Sequence, residues 1–372
     1  MAFSLIYGIA ASGAIGHCGF RDHDVSEFEL IHMNTAATLN QSATMERTMQ
    51  SIPTIDISPL RDMDHPERAD VIKQIHGACT DMGFLSIVGT GVSQQTIEDM
   101  RACVRTIFAV SEARKWDQAI TRDNYRGFIP FGFFSPNDGT GSADKYEGYK
   151  LHQEVAASHP VVADCALYGP NRWPLEVPEA QETVLNYWSQ LDEVALLLLG
   201  ALAEALKLPS RTFQDAFAAP MTNMTLLHYP PQAPDEPGFG IHPHKDTDAL
   251  TIIAPDPVGG LEVQTRSGDW ITPDCPPGGF VVNIGDMLEL WSGGRLVSTP
   301  HRVVNRSGKE RYSFPYFAVP RHDVVVAPLL PALPGFDRPS VHCGHWSAET
   351  WRTNWPDEEA NEDTPELGTL HN

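Results

Sequence analysis

Positive charge is in short supply in this chain. Its 372 residues hold 26 Lys and Arg against 48 Asp and Glu, a formal charge of −22. So acidic a protein has no basic surface to spare for phosphate, which argues against a nucleic-acid partner. Paired cysteines are lacking as well. Cys18, Cys79, Cys103, Cys165, Cys275 and Cys343 are scattered without a Cys-x-x-Cys. That speaks against a zinc knuckle or a disulfide framework and for a reducing, cytoplasmic setting. No charge-free apolar run of about 18 residues follows the N-terminus, so neither a spanning helix nor a membrane partner is expected. Met1–Phe20 has no basic leading region and is broken by Gly8, Gly13, Gly16 and Gly19, unlike a signal peptide. Gly83, Gly89 and Gly91 do not form a glycine-rich loop between a first strand and its helix, so the nucleotide-binding fingerprint is absent.

At this length the chain can bury a full core, as one large domain or two small ones. Residues 1–50 read as a flexible extension, with Met33 and Met45 as possible internal starts. Order begins near Ile52. Ile52–Ile57 alternates as a short strand, and Arg68–Met82 has helical spacing closed by Gly83. Phe84–Val88 is a second strand, and Ser93–Val110 a second helix. Residues 117–180 read as an irregular, aromatic cover, with Gly127–Phe134 its densest part. Gln181–Leu206 carries a broad apolar stripe and reads as a packing helix behind a sheet.

From Met221 the texture changes to short β-rich runs between Pro, Gly and Asp turns: Thr222–Tyr229, Leu250–Ala254, Gly260–Gln264, Phe280–Ile284, Ser298–Val304 and Arg311–Val319. This predicts a mixed α/β but mainly β protein with a double-stranded β-helix, or jelly-roll, core. The expected organisation is an extension at 1–50, an N-terminal α/β and helical region at 51–215, the catalytic core at 216–330, and a C-terminal extension at 331–372 with an acidic, solvated tail.

The chemistry concentrates between Met224 and Phe317. His244 and Asp246 are two residues apart and would share one face of a strand. His301 opens a β-rich run that could approach from a neighbouring strand. Two imidazoles and one carboxylate with open positions make the facial triad of non-haem iron(II) enzymes; a zinc hydrolase could use the same three. His242 and Asp248 share the strand face and stay as rivals, since parity cannot separate them. Arg311 and Ser313 also share a face. A guanidinium and a hydroxyl there suit the distal carboxylate of a keto-diacid. Tyr229, before Pro230-Pro231, could be a core aromatic or a further donor.

The order of these segments resembles the iron(II)/2-oxoglutarate-dependent dioxygenases of the isopenicillin N synthase-like branch. The matching segments are His244-Lys245-Asp246, Gly259–Val263 with Trp270, Phe280–Asp286, Trp291–Gly294, Ser298–Val303, Arg311-Tyr312-Ser313 and Tyr229-Pro230-Pro231. Ile52–Ile57, Gly83–Val88 and Gly169–Pro174 extend the resemblance over about 52–330. It implies Fe(II) held by His244, Asp246 and His301, and 2-oxoglutarate held by Arg311 and Ser313 with help from Tyr229. It also implies O2 as co-substrate and release of succinate and CO2 on oxidation of an unactivated C–H bond. His228, His242 and Asp286 are expected to be structural. The chain departs from many relatives at Leu227, where they have Asn, and at Asp248, where they have Gly. Asp248 could touch substrate or cap a turn.

Substrate contacts are expected from Tyr125, Phe128, Phe131, Phe133 and Lys150, with Lys150 or Arg172 meeting a carboxylate. The substrate expected is a small molecule such as a secondary metabolite, and the protein a monomer or weak homodimer. Hydroxylation, desaturation and cyclisation use one site and are not distinguished. A same-fold oxidase without 2-oxoglutarate, an ethylene-forming enzyme and a non-enzymatic cupin-like binding protein are the alternatives.

Overall fold

In the computed structural model, residues 51–134, 142–353 and 355 are described. The expected extension at 1–50 and the tail from 356 lie outside the described residues.

The opening strand and helix follow from their patterns. β1 (Thr54–Asp56) runs parallel to β2 (Phe84–Val88), with Ile55 opposite Ile87. Between them α1 (Arg68–Asp81) buries Val71, Ile75, Ala78 and Cys79, one face at helical spacing. Gly83 ends that turn with φ 68°, and a Cβ there would stand 1.9 Å from the Val297 carbonyl oxygen. α2 (Gln94–Ala109) begins at Ser93, whose side chain accepts from the Thr96 N–H.

α3 (Glu112–Trp116) and α4 (Pro160–Asp164) are short helices. Between them lie β3 (Gly127–Ile129) and β4 (Glu147–His152). α5 (Ala180–Ala205) buries Val184, Trp188, Leu191, Ala195, Leu198 and Leu202 and packs against α1 and α2. β5 (Asn223–Tyr229), β6 (Ile241–His244), β7 (Leu250–Ile253), β8 (Leu261–Gln264), β9 (Trp270–Ile271) and β10 (Phe280–Ile284) follow. Then come α6 (Asp286–Trp291), β11 (His301–Val303), β12 (Arg311–Ser313), β13 (Tyr316–Ala318), β14 (Val325–Val326), β15 (Val341–His342) and α7 (Cys343–Thr353).

One sheet has nine strands in the order β1-β2-β10-β7-β13-β5-β4-β3, with β12 also paired to β5. A second has four, β6-β11-β8-β9, and β14 pairs with β15. The expectation of a mainly β, jelly-roll core is therefore corrected. Among the described residues no sheet closes, and helix accounts for more residues than strand. Short strands between turns look alike in sequence whether their sheet closes or stays open, because the partners that decide closure are far away in the chain. The supposedly irregular cover is corrected too: β3 and β4 within it extend the large sheet beside β5.

Parity sets what each face of β4 and β5 carries. Tyr149, Leu151, Met224 and Leu226 turn into the main core with α5. Lys150, His152, Asn223, Thr225, Leu227 and Tyr229 fall on the other face, which looks toward the site.

Candidate active site

β6 and β11 are antiparallel neighbours with His244 directly opposite His301. Their rings lie 4.3 Å apart between centroids. β6 ends at His244, so Asp246 comes from the loop beyond it rather than from the same strand. That loop is pinned by its backbone: the Asp286 N–H donates to the Asp246 carbonyl (2.8 Å) and the Gly285 N–H to that of Ala249 (2.9 Å). Gly285 is needed for closeness, since a Cβ there would sit 2.2 Å from Asp248 Oδ1.

The result is a converging donor set. Ligand atoms of His244, Asp246 and His301 all lie within 4.8 Å of one another. His244 Nε2 is 3.7 Å from Asp246 Oδ1, and His301 Nε2 is 3.6 Å from Asp246 Oδ2. His244 Nδ1 donates to the His242 carbonyl (2.8 Å) and His301 Nδ1 to that of Thr299 (3.2 Å). Those bonds fix the tautomer and leave each Nε2 lone pair facing the carboxylate. Burial pushes Asp246 up, but the two imidazoles and the bonds from Thr251 and Asn283 outweigh it and hold it below the usual carboxylate range. Burial and the neighbouring His301 push His244 down, toward the neutral ligand form.

Asp246 Oδ2 accepts from Asn283 Nδ2 (2.8 Å). Thr251 Oγ1 stands 2.5 Å from Asp246 Oδ2 and 2.9 Å from Asp248 Oδ2. Burial and the charge of Asp246 push Asp248 well above the normal range. A protonated Asp248 can donate to the Thr251 oxygen while Thr251 donates to Asp246. Lys245 borders the cavity and its Nζ lies 3.9 Å from Glu289 Oε2. His242, the other rival ligand, is tied to Asp144 through Nδ1 (2.6 Å).

β12 pairs with β5 so that Arg311 is opposite Tyr229 and Ser313 opposite Leu227. The Arg311 guanidinium lies 4.6 Å from the Tyr229 ring centre and donates through Nε to the Gly259 carbonyl (2.6 Å). Its Nη1 is buried without a hydrogen-bond partner. A buried guanidinium nitrogen left over is what an incoming carboxylate would satisfy. The three-ligand set, with two neutral imidazoles and one carboxylate, likewise fits iron(II) with positions to spare.

A cavity of about 420 Å³ opens at the triad. His244, Asp246, Asp248, Tyr125 and Lys150 line it; His301 is buried behind it. Arg311, Ser313 and Tyr229 are not in its wall, although Leu227, opposite Ser313, is. Three of the expected substrate contacts are absent from this lining. Phe128 is buried beneath Trp116 and Lys115. Phe131 is 56% exposed. Phe133 packs on Phe134 and Trp355, and it is Phe134 that reaches the cavity. Arg172 is spent on the carbonyls of Ala119 and Asp117.

Sequence reasoning passed over Asn223 and Thr225 on β5, and Trp346 and Trp351 on α7, all of which line the cavity. The helical spacing of Trp346, Ser347, Thr350 and Trp351 was the available signal for α7.

Comparison with known proteins agrees with this geometry. Residues 221–320 match the 2OG-Fe(II) oxygenase superfamily model. Residues 52–176 match the N-terminal region of the non-haem dioxygenases of morphine synthesis. A 2-oxoglutarate-Fe(II) type oxidoreductase of Emericella nidulans is 32% identical over 275 residues, 71% of this chain and 78% of its own. A homoarginine-6-hydroxylase of Glycine max is 32% identical over 302 residues, covering 77% and 90%. Among solved structures, a 2OG-Fe(II) oxygenase family protein of Caulobacter crescentus superposes with a TM-score of 0.71 at 29% identity, over 81% of this chain and 99% of that one. A Neurospora crassa protein solved with α-ketoglutarate and thymine shares the fold, with a TM-score of 0.72 at 21% identity over 82% and 97%. Among the described residues no helix is long and apolar enough to cross a membrane. The chain belongs to the 2OG-Fe(II) oxygenase superfamily, as an enzyme that uses iron(II), 2-oxoglutarate and O2 to oxidise a small organic molecule.

Proposed function

We propose that this oxygenase is of the isopenicillin N synthase-like branch and hydroxylates an unactivated C–H bond of a small molecule held above His244. In this reading His244, Asp246 and His301 hold iron(II). Arg311 and Ser313 hold the distal carboxylate of 2-oxoglutarate, and the Tyr229 ring keeps the guanidinium in place. Iron(II) held there would supply the coupling of O2 to oxidative decarboxylation of 2-oxoglutarate, with succinate and CO2 as co-products of substrate oxidation. The chain's own contribution is positional. Thr299 and His242 carbonyls orient the imidazoles, Thr251 and Asn283 orient Asp246, and the Tyr125, Phe134 and Trp351 walls shield the reacting carbon from water.

The observation that carries the reading is the convergence of three ligand atoms within 4.8 Å; a buried guanidinium with an unsatisfied nitrogen on Arg311 supports it. The test is anaerobic reconstitution with Fe(II) and 2-oxoglutarate. A weak visible charge-transfer band is expected in the wild type. It should be lost in His244→Ala, and in Arg311→Gln it should need roughly tenfold or more 2-oxoglutarate. A wild type that binds Fe(II) but gives no band with 2-oxoglutarate would sink the cosubstrate assignment.

A further inference from the structure

The inner face of β4 and β5 is polar where a sheet facing a cavity floor could have been apolar. Lys150 and His152 alternate on β4, and Asn223 and Thr225 on β5, with Lys150 opposite Thr225 and His152 opposite Asn223. Lys150 Nζ donates to Asn223 Oδ1 (2.7 Å) and Thr225 Oγ1 (3.0 Å). Both acceptors are neutral. Among the described residues no carboxylate lies within ion-pair distance of Lys150; burial lowers it to about 7, and the more distant charge of Asp246 opposes this only in part.

An ammonium in a largely enclosed site needs compensation that two neutral oxygens do not supply. It has three protons, and two are committed. With its oxygen taken by Lys150, Asn223 presents its amide NH2 as a donor, and Thr225 keeps its hydroxyl proton. Three donors thus stand together on one patch of the cavity, one of them an amine that a docked carboxylate would hold in its cationic form. That is a receptor for a planar anion with two oxygens. Around it the walls are aromatic. Trp351 lies 4.6 Å from the His152 ring and 5.5 Å from the Tyr125 ring, and the Phe317 ring centre is 5.3 Å from Lys150 Nζ.

We infer that the substrate is a small carboxylic acid with an apolar or aromatic body, and that its carboxylate docks on Lys150, Asn223 and Thr225. This deepens the oxygenase reading and places a second anion site in the protein, separate from Arg311. Lys150 anchors the far end of the substrate, and its aromatic neighbours enclose the body between that anchor and His244. Lys150 is a specificity residue here and takes no part in the oxidation.

The test is a binding measurement and needs no turnover. Monocarboxylates from acetate to phenylacetate, each paired with its amide, are titrated against the whole protein in the absence of O2. Calorimetry and the quenching of tryptophan fluorescence report binding. The wild type should prefer carboxylate over amide by about tenfold or more. Lys150→Met should remove that preference while the larger amides still bind, Lys150→Arg should restore much of it, and Thr225→Val should reduce it. Arg311→Gln should leave it intact, which separates this site from the 2-oxoglutarate site even if the latter assignment fails. Absence of any carboxylate preference across the panel, including absence of binding, overturns the proposal. So does a preference that survives Lys150→Met and disappears in Arg311→Gln.

Discussion

Thr251 has one hydroxyl proton and two carboxylates within reach, Asp246 at 2.5 Å and Asp248 at 2.9 Å. Burial and the charge of Asp246 push Asp248 up, which favours the arrangement in which Thr251 and Asn283 donate to Asp246 and a protonated Asp248 donates to Thr251. Partners of this kind fix the angle of a ligand, and losing one typically weakens metal affinity by about 10–100-fold. Thr251→Val and Asn283→Leu should each lower affinity for Co(II), a spectroscopic stand-in for iron(II), by that order while far-UV circular dichroism stays unchanged. Asp248→Asn, which can still donate to Thr251, should cost far less. Equal losses in all three would refute the proton arrangement. At this scale the sequence was informative about identity and weak about geometry. His244, Asp246 and His301 could be named because their order resembles a known family. Parity on one strand, however, could not separate Asp246 from Asp248. Asp246 leaves the strand; Thr251 of β7 reaches both acids, and what distinguishes Asp246 is the bond it accepts from Asn283 of β10.

α5 was legible because its periodicity is local: Trp188, Leu191 and Leu198 read as one buried face in sequence and structure alike, although it is Val184 and not the expected Leu185 that is buried with them. β3 and β4 were not, because three to six residues rich in Gly and aromatics gain their strand character only from pairing with β5. α5 also carries a cost that no periodicity shows. Asp192 is half-buried against Tyr316, whose hydroxyl donates to it (2.6 Å). Burial pushes its carboxyl up to about 6, with the hydrogen bond from Tyr316 only partly opposing. A folded-state value above the unfolded one means that this group's stabilising contribution is complete below about pH 4 and is lost as pH rises through 6. At neutral pH the loss is roughly 2–3 kcal/mol. Asp192→Asn keeps an acceptor for Tyr316 and carries no charge. Its urea midpoint should exceed that of the wild type at pH 8, and the gain should shrink toward zero by about pH 4. A gain independent of pH would mean that the charge of Asp192 is not the cause.

Across the whole unit the site is an assembly of distant chain segments. β6 and β11 bring the histidines, the loop before β7 brings Asp246, and α7 supplies a wall 100 residues beyond Asp246 with Trp346; in the proposed reading β12 adds Arg311. Such long-range closure is why the sheet architecture escaped the sequence while the order of motifs did not. It also couples the ligands to the stability of the fold, since anything bound only by the native state stabilises it by RT ln(1 + [L]/Kd), about 2.7 kcal/mol at a hundredfold excess over Kd. Metal and 2-oxoglutarate should not act independently. In the proposed reading the keto acid gains its chelating contacts only when the triad is filled, and Arg311 and Ser313 alone would give it a weaker hold. Thermal unfolding with Co(II), with 2-oxoglutarate, and with both should therefore give a joint rise in Tm larger than the sum of the separate ones, by about a few degrees for a chain of this size. In His244→Ala that excess should vanish, and in Arg311→Gln the metal's own shift should remain while the joint term falls. Strictly additive shifts in the wild type would mean that the two ligands bind apart, and that the triad and Arg311 do not serve one site.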